Sequence, residues 1–189
     1  MDRAPDRRVR RTREALQVAL VELMTEKGYD AVTVQDVVDR ADVSRSTFYA
    51  HFTDKEDLLV SGIEGLRPLL VGGAAPDEPH APFSFSLELL RHVQGQRRLL
   101  RVLAPRTGGA VVQRWFTKLV ADLVRDDLLA LPRGGGTAQR PESAELTVAF
   151  ITGAFMSLLT AWLATGTRQP PEEVDAVFRD LVLHGLSVP

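Results

Sequence analysis

Residues 33–59 read TVQDVVDRADVSRSTFYAHFTDKEDLL, and three helix starts follow one another within them. Thr33 precedes Val34, Val37, Val38 and Ala41, whose i, i+3, i+4, i+7 spacing makes one apolar helix face. Asp36 completes a capping-box pair with Thr33, and Val32 with Val37 is placed as a hydrophobic staple. Ser44 opens the next helix as N-cap, with Val43 and Phe48 as its staple. Thr53, with Glu56 three residues on, reads as a third capped start. Capped starts so closely spaced predict short helices meeting at sharp angles. Helix, brief turn, helix is the helix-turn-helix layout, whose second helix enters the DNA major groove.

The residues of that second helix suit the task. Phe48 and Phe52 lie four apart and face the core, while Ser46 and Ala50, roughly opposite, let the backbone approach base edges. Arg45 and Tyr49 flank one side, Thr47 and His51 the other. Arginine supplies the bidentate contact to guanine, and hydroxyls suit bases or phosphates. Lys55, in the first turn of the following helix, adds a cation where free backbone amides already favour phosphate. Thr33 offers the same end-on contact at its own helix start. The competing reading is a tight turn in a generic helical bundle.

Outward from this stretch, apolar spacing reads as helix almost throughout, with no sustained period-two alternation. A first helix covers about residues 12–27, with Leu16, Leu20 and Leu23 on one stripe and Gly28 as its stop. Residues 1–13 carry six arginines (Arg3, Arg7, Arg8, Arg10, Arg11, Arg13) against Asp2 and Asp6. Such a tail is either a disordered arm meeting phosphates or a groove, or a solvated, idle terminus. Residues 72–84 (GGAAPDEPHAPFS) form a Gly/Pro-rich connector. Helix resumes near Phe85, breaks at 104–109 and covers about 109–131. After a loop at 131–141 come helices at about 141–165, from Pro141 to Gly166, and 171–184, from Pro171 to Gly185. There is no internal repeat. The expected domains are an Arg-rich arm at 1–10, a helix-turn-helix domain at 11–58 and a helical domain at 59–189.

Composition excludes several classes. The 189 residues hold no cysteine, so disulfides and thiolate metal sites are out and a reducing cytoplasm fits. The Arg-rich start runs into an amphipathic segment, which does not read as a signal peptide. Net charge is only −2, so nucleic-acid binding must rest on where charges sit rather than on their sum. The histidines (His51, His80, His92, His184) are scattered, no phosphate loop is present, and no nucleophile–base spacing stands out. The reading is of a non-enzyme without cofactor or metal. Glu88 and His92 are i, i+4 neighbours, but two ligands without a third fit a helix-surface hydrogen bond better than a metal site.

Residues 146–167 contain no charged side chain and are long enough to span a bilayer. Scattered Thr147, Thr152, Ser157, Thr160 and Thr165, and no basic flank beyond Arg168, favour a deeply buried helix instead. Ala149, Gly153, Ser157 and Ala161 follow i+4 spacing, a ridge along which two backbones can approach. The last helix has its own stripe of Val174, Val177, Phe178, Leu181 and Val182. These helices either close the monomer core or pair with a second copy.

Residues 41–59, ADVSRSTFYAHFTDKEDLL, closely resemble the TetR-family pattern of a helix-turn-helix ending in S-x-x-T-[FL]-Y-x-[HY]-F-x-x-K-x-x-L. With the first helix the likeness covers about residues 10–60. Two positions depart from it: Asp42 stands in the turn where glycine is usual, and Ser46 where glycine is common. Aspartate tolerates a left-handed backbone, so a slightly strained turn is expected. The resemblance implies an all-α protein with a three-helix DNA-binding domain and a C-terminal effector-binding and dimerisation domain. It implies that Arg45, Ser46 and Thr47 probe bases, that Tyr49, His51 and Lys55 hold phosphates, and that Thr33 helps anchor, with Ser44 also among the DNA-binding residues. It implies a homodimer through the last two helices, at Ala149, Gly153, Ser157, Ala161, Val174, Val177, Phe178 and Leu181. It implies an effector pocket in the middle helices, for which Phe85, Leu89, His92, Leu99, Trp115, Phe116, Leu119 and Met156 are the candidates. The expected protein is a cytoplasmic repressor, away from membranes, released from a palindromic double-stranded operator by a small-molecule effector. The alternative is a DNA-binding regulator controlled by a protein partner or lacking any effector.

Overall fold

In the computed structural model, residues 4–71, 81–95, 109–131 and 141–185 are described. Among them are nine helices and no strand. They are α1 (Ala4–Lys27), α2 (Val34–Arg40), α3 (Arg45–Tyr49), α4 (Lys55–Glu64) and α5 (Arg67–Val71), then α6 (Phe85–Gly95), α7 (Gly109–Ala130), α8 (Pro141–Ala164) and α9 (Pro171–His184). The all-helical expectation is met. Leu99 and the breaks expected at 104–109 and 131–141 lie wholly or largely outside the described residues.

By contacts the described residues divide into two units, 4–65 with 109–115 and 66–71 with 81–95, 116–131 and 141–185. In the first, α1 buries Leu16, Ala19, Leu20, Leu23 and Met24, and stops at Gly28, whose φ of 78° suits glycine. The helix begins at Ala4 rather than near residue 12, so the described part of the Arg-rich segment is helical and not a loose arm. Arginine is a good helix former, and Pro5 falls in the first turn, where its missing N–H costs nothing.

The capping box at Thr33 and Asp36 forms in full, and Ser44 caps α3. The third start moves by one residue. Asp54, not Thr53, is the N-cap of α4, its carboxylate accepting the N–H groups of Glu56 and Asp57, both at 2.8 Å. Thr53 instead donates its own N–H to the Asp57 carboxylate at 2.8 Å. A carboxylate accepts two N–H bonds at once, a cap a single hydroxyl matches less well. All of α4 lies in the first unit, beyond the expected boundary at 58–59. Leu58, Leu59 and Ile63 bury its inner face, and the Ser61 hydroxyl accepts from Arg13 at 2.8 Å and Gln17 at 3.5 Å on α1.

The second unit is built on an aromatic cluster. Phe155 on α8 meets Phe178 on α9 at 5.1 Å and Phe85 on α6 at 5.6 Å, and Phe178 meets Phe83 at 6.4 Å, all edge-to-face. Each ring is at most 2% exposed. Phe83 has a φ of 61°, an uncommon value for a bulky residue. Its N–H is held by the buried Asp127 carboxylate at 2.9 Å, and its carbonyl accepts the Ser86 hydroxyl at 2.8 Å. Ser86 also contacts the buried Asp175 carboxylate on α9.

Two expectations about the last helices need correction. α8 is not deeply buried all round: Val148, Ile151, Phe155, Leu159 and Trp162 face inward, while Leu146 is 72% and Phe150 70% exposed. One protomer covers one face of this helix, and only 33% of its apolar window is buried. On α9, Val174 and Phe178 are core residues of their own protomer, whereas Val177 and Leu181 point outward. A four-residue step keeps 174 and 178 on one side and 177 and 181 on another.

Candidate nucleic-acid interface

α3 turns its aromatic face inward. Phe48 is fully buried and Phe52, just past the helix, is 2% exposed; their rings lie 5.9 Å apart. The edge of Phe48 also meets the Tyr49 ring at 5.3 Å, which fixes Tyr49 while leaving it 51% exposed. Arg13 of α1 lays its guanidinium 4.6 Å over Phe52 and donates to Ser61, so this arginine is spent inside the unit.

The opposite face carries polar groups. Ser44, Arg45, Ser46 and Tyr49 are exposed, and Thr47 and His51 are half-buried. The Ser44 hydroxyl accepts the Thr47 N–H at 3.1 Å and lies 2.8 Å from the hydroxyls of both Ser46 and Thr47. Arg45 donates to the Tyr49 hydroxyl at 3.4 Å, with its guanidinium 5.9 Å from that ring. The pair holds Arg45 extended along the outer face with most of its donors free for a ligand. The turn that delivers α3 contains Asp42 at a φ of 52°, the left-handed conformation expected where glycine is more usual.

Thr33 is exposed at the α2 start, but its hydroxyl already donates to Asp36 at 2.6 Å. Lys27 Nζ reaches the same carboxylate oxygen at 2.8 Å, and its hydrogen bond, then those of Thr33, hold the Asp36 carboxyl well below the usual range. At the other end of α2, Arg40 pairs with Glu26 at 2.7 Å and Glu22 at 3.4 Å, which neutralises it.

Lys55 does something other than the sequence suggests. Its ammonium donates to the carbonyls of Val32, Tyr29 and Asp30 at 2.8, 3.0 and 3.3 Å and stacks 4.4 Å from the Tyr29 ring centroid. Three donors to three carbonyls leave nothing for a phosphate. Tyr29 is 3% exposed, and burial, followed by the charges of Glu56, Asp54 and Asp30, pushes its hydroxyl up to about 12. Glu56 accepts from Arg114 at 2.6 Å and from the Trp115 indole at 2.7 Å, and Trp115, one of the effector candidates, lies in the first unit.

The remaining effector candidates are dispersed. Phe85, Leu89, Phe116 and Leu119 are core, and Met156 and His92 are half-buried, with burial lowering the His92 pKa. None of them lines either of the two described concavities. One of these, about 270 Å³ between the end of α8 and α9, is bounded by Leu158, Ala161, Trp162, Val174 and Val177 among others. Among the described residues no three His, Cys, Asp or Glu gather as a metal site.

Residues 17–61 match the family described as "Bacterial regulatory proteins, tetR family", and residues 81–184 match "Transcriptional regulator C-terminal region". Over 60 residues the chain is 45% identical to an uncharacterized HTH-type transcriptional regulator, YxbF, of Bacillus subtilis (strain 168), covering 31% of this chain and 16% of that protein. The chain thus spans about a sixth of the length of that relative. The fold is similar to that of a TetR transcriptional regulator from Streptococcus agalactiae 2603V, at 24% identity and a TM-score of 0.69, covering 94% of this chain and 97% of the other. It is also similar to the regulator FadR from Bacillus subtilis in complex with stearoyl-CoA, at 17% identity and a TM-score of 0.67, covering 92% and 98%.

Proposed function

This chain belongs to the TetR family of bacterial transcriptional regulators, and we propose that it is a homodimeric repressor that leaves a palindromic operator when a small molecule binds. The outward face of α3 carries the reading: Arg45, Ser46, Thr47 and Tyr49 stand opposite a buried Phe48, on a helix short enough to lie in the major groove. Family members are typically cytoplasmic DNA-binding proteins without catalytic activity, and the proposal places this one with them.

The exposed apolar face of α8 supports the dimer. Leu146, Ala149, Phe150, Gly153, Ser157 and Ala161 on α8, with Val177 and Leu181 on α9, form a surface of the kind a second copy covers in a two-fold interface. A two-fold axis also sets half-sites about 34–36 Å apart. α8 has the length and apolarity of a membrane span, and a dimer interface accounts for both. An effector acts by favouring a dimer whose recognition helices no longer match that spacing. Because one fold neighbour carries stearoyl-CoA, acyl thioesters head the effector candidates.

The test is in vitro selection of duplexes by the full-length protein, then binding with Arg45→Ala and Tyr49→Ala. Specific binding is expected to fall in both variants; full retention by both would refute the site. Thermal shifts against acyl-CoAs and a metabolite library then decide the effector. No stabilising compound would favour control by a protein partner or no effector at all.

A further inference from the structure

We propose that the groove between the N-terminal part of α1 and the start of α3 seats a DNA backbone phosphodiester, with the Arg8 guanidinium as its charge. This rests on the DNA-binding reading above. The groove is open, encloses about 550 Å³, and is lined by Arg8 and Thr12 from α1 and by Asp42, Ser44, Thr47 and His51 from the α3 side, among others.

Three of these groups are available to a ligand. The side chains of Arg8, Thr12 and His51 make no hydrogen bond or ion pair among the described residues, and Arg8 is exposed. Of the other arginines on α1, Arg10 pairs with Glu14 at 3.5 Å and Arg13 lies over Phe52, while Arg7 and Arg11 are exposed but do not line the groove. A guanidinium, a hydroxyl and an imidazole converging on one concavity are the donors that backbone phosphates recruit. The place is right as well. The groove borders the same α3 whose outer face carries Arg45, so a phosphate held there fixes the register in which the neighbouring bases are read.

Asp42 gives the groove a sign of its own. Its carboxylate stands in the wall, unpaired among the described residues, and repels the phosphate that Arg8 attracts. Two substitutions in one groove therefore move affinity in opposite directions.

The experiment measures binding of the full-length protein to a fluorescein-labelled duplex of about 30 base pairs recovered by selection, and to a scrambled duplex, across a salt series. Arg8→Ala is expected to flatten the log–log salt slope by about 0.9 per protomer, about 1.8 per dimer, and to weaken both duplexes by the same factor, roughly tenfold at 0.15 M salt. Arg8→Lys restores the slope. Asp42→Asn tightens both duplexes severalfold at low salt, and the melting temperature of Arg8→Ala stays at the wild-type value. An unchanged slope in Arg8→Ala, a loss confined to the selected duplex, or no tightening in Asp42→Asn would each overturn the proposal. Failure of the wild-type protein to enrich any duplex would sink the DNA-binding reading itself.

Discussion

The Lys55 ammonium sits 4.4 Å from the centre of the Tyr29 ring and donates at 3.0 Å to the carbonyl of the same residue. With Val32 and Asp30 it closes the loop between α1 and α2, so the cation that a helix start offers to phosphate is used to hold the fold. The first prediction follows. Lys55→Ala should cost about 2 kcal/mol of stability, because partly buried carbonyls lose a charged donor. Measured well below its melting temperature, the variant should keep the wild-type salt slope for DNA. A slope flattened by about 1 per protomer without loss of stability would return Lys55 to the phosphate contacts.

Arg45→Ala should lower affinity for the selected duplex by about 1–3 kcal/mol per half-site and much less for a scrambled duplex. Arg45 stands on the outer face beside Tyr49 and packs against nothing in the core, so its melting temperature should barely move. Equal losses on both duplexes would make Arg45 a phosphate contact.

Gly153 has nothing within 4 Å of where a Cβ would stand. Gly153→Leu should therefore fold as a protomer yet disrupt a two-fold pairing of α8, and Phe150→Arg should do the same by charging a 70% exposed apolar site. Light scattering at micromolar concentration should read a dimer for the wild type and monomers for the variants. A wild-type monomer, or dimers that tolerate both changes, would move the interface elsewhere.

Asp175 is 6% exposed, and burial raises its pKa above the ordinary value of 3.8, offset in part by the Ser86 hydrogen bond and by Arg179 and Arg91. The folded state therefore binds this proton more tightly than the unfolded one. The resulting stabilisation is fully present below pH 3.8 and is lost as pH rises through the folded-state pKa. Asp175→Asn, which keeps an acceptor for Ser86, should gain on the wild type in denaturant midpoint as pH climbs through that window. A difference independent of pH would show that Asp175 is not the titrating group.

The local features were legible in the sequence because their causes are local. Thr33 with Asp36, and Ser44 before Thr47, close hydrogen bonds across three residues, and Gly28, Gly166 and Gly185 stop helices by their own left-handed backbones. The inward turn of Phe48 and Phe52 follows from four-residue spacing, and Asp42 accepts the φ of a glycine because its side chain is short and polar. From these came the helix-turn-helix and the exposed Arg45.

Tertiary structure decided what depends on distant partners. Lys55 read as a phosphate-facing cation until carbonyls 23 to 26 residues away claimed it, and Arg13, in a segment that read as either a DNA-meeting arm or an idle terminus, is held by Phe52 and Ser61. The α9 stripe reads as one surface, but packing against Phe155 and Phe83 took Phe178 into the core and left Val177 and Leu181 outside. Periodicity tells which residues share a face; only the neighbours tell whether that face is covered. For α8 the protomer covers the side of Phe155 and leaves Phe150 open, and for α1 it spends Arg13 inward and leaves Arg8 at the mouth of a groove.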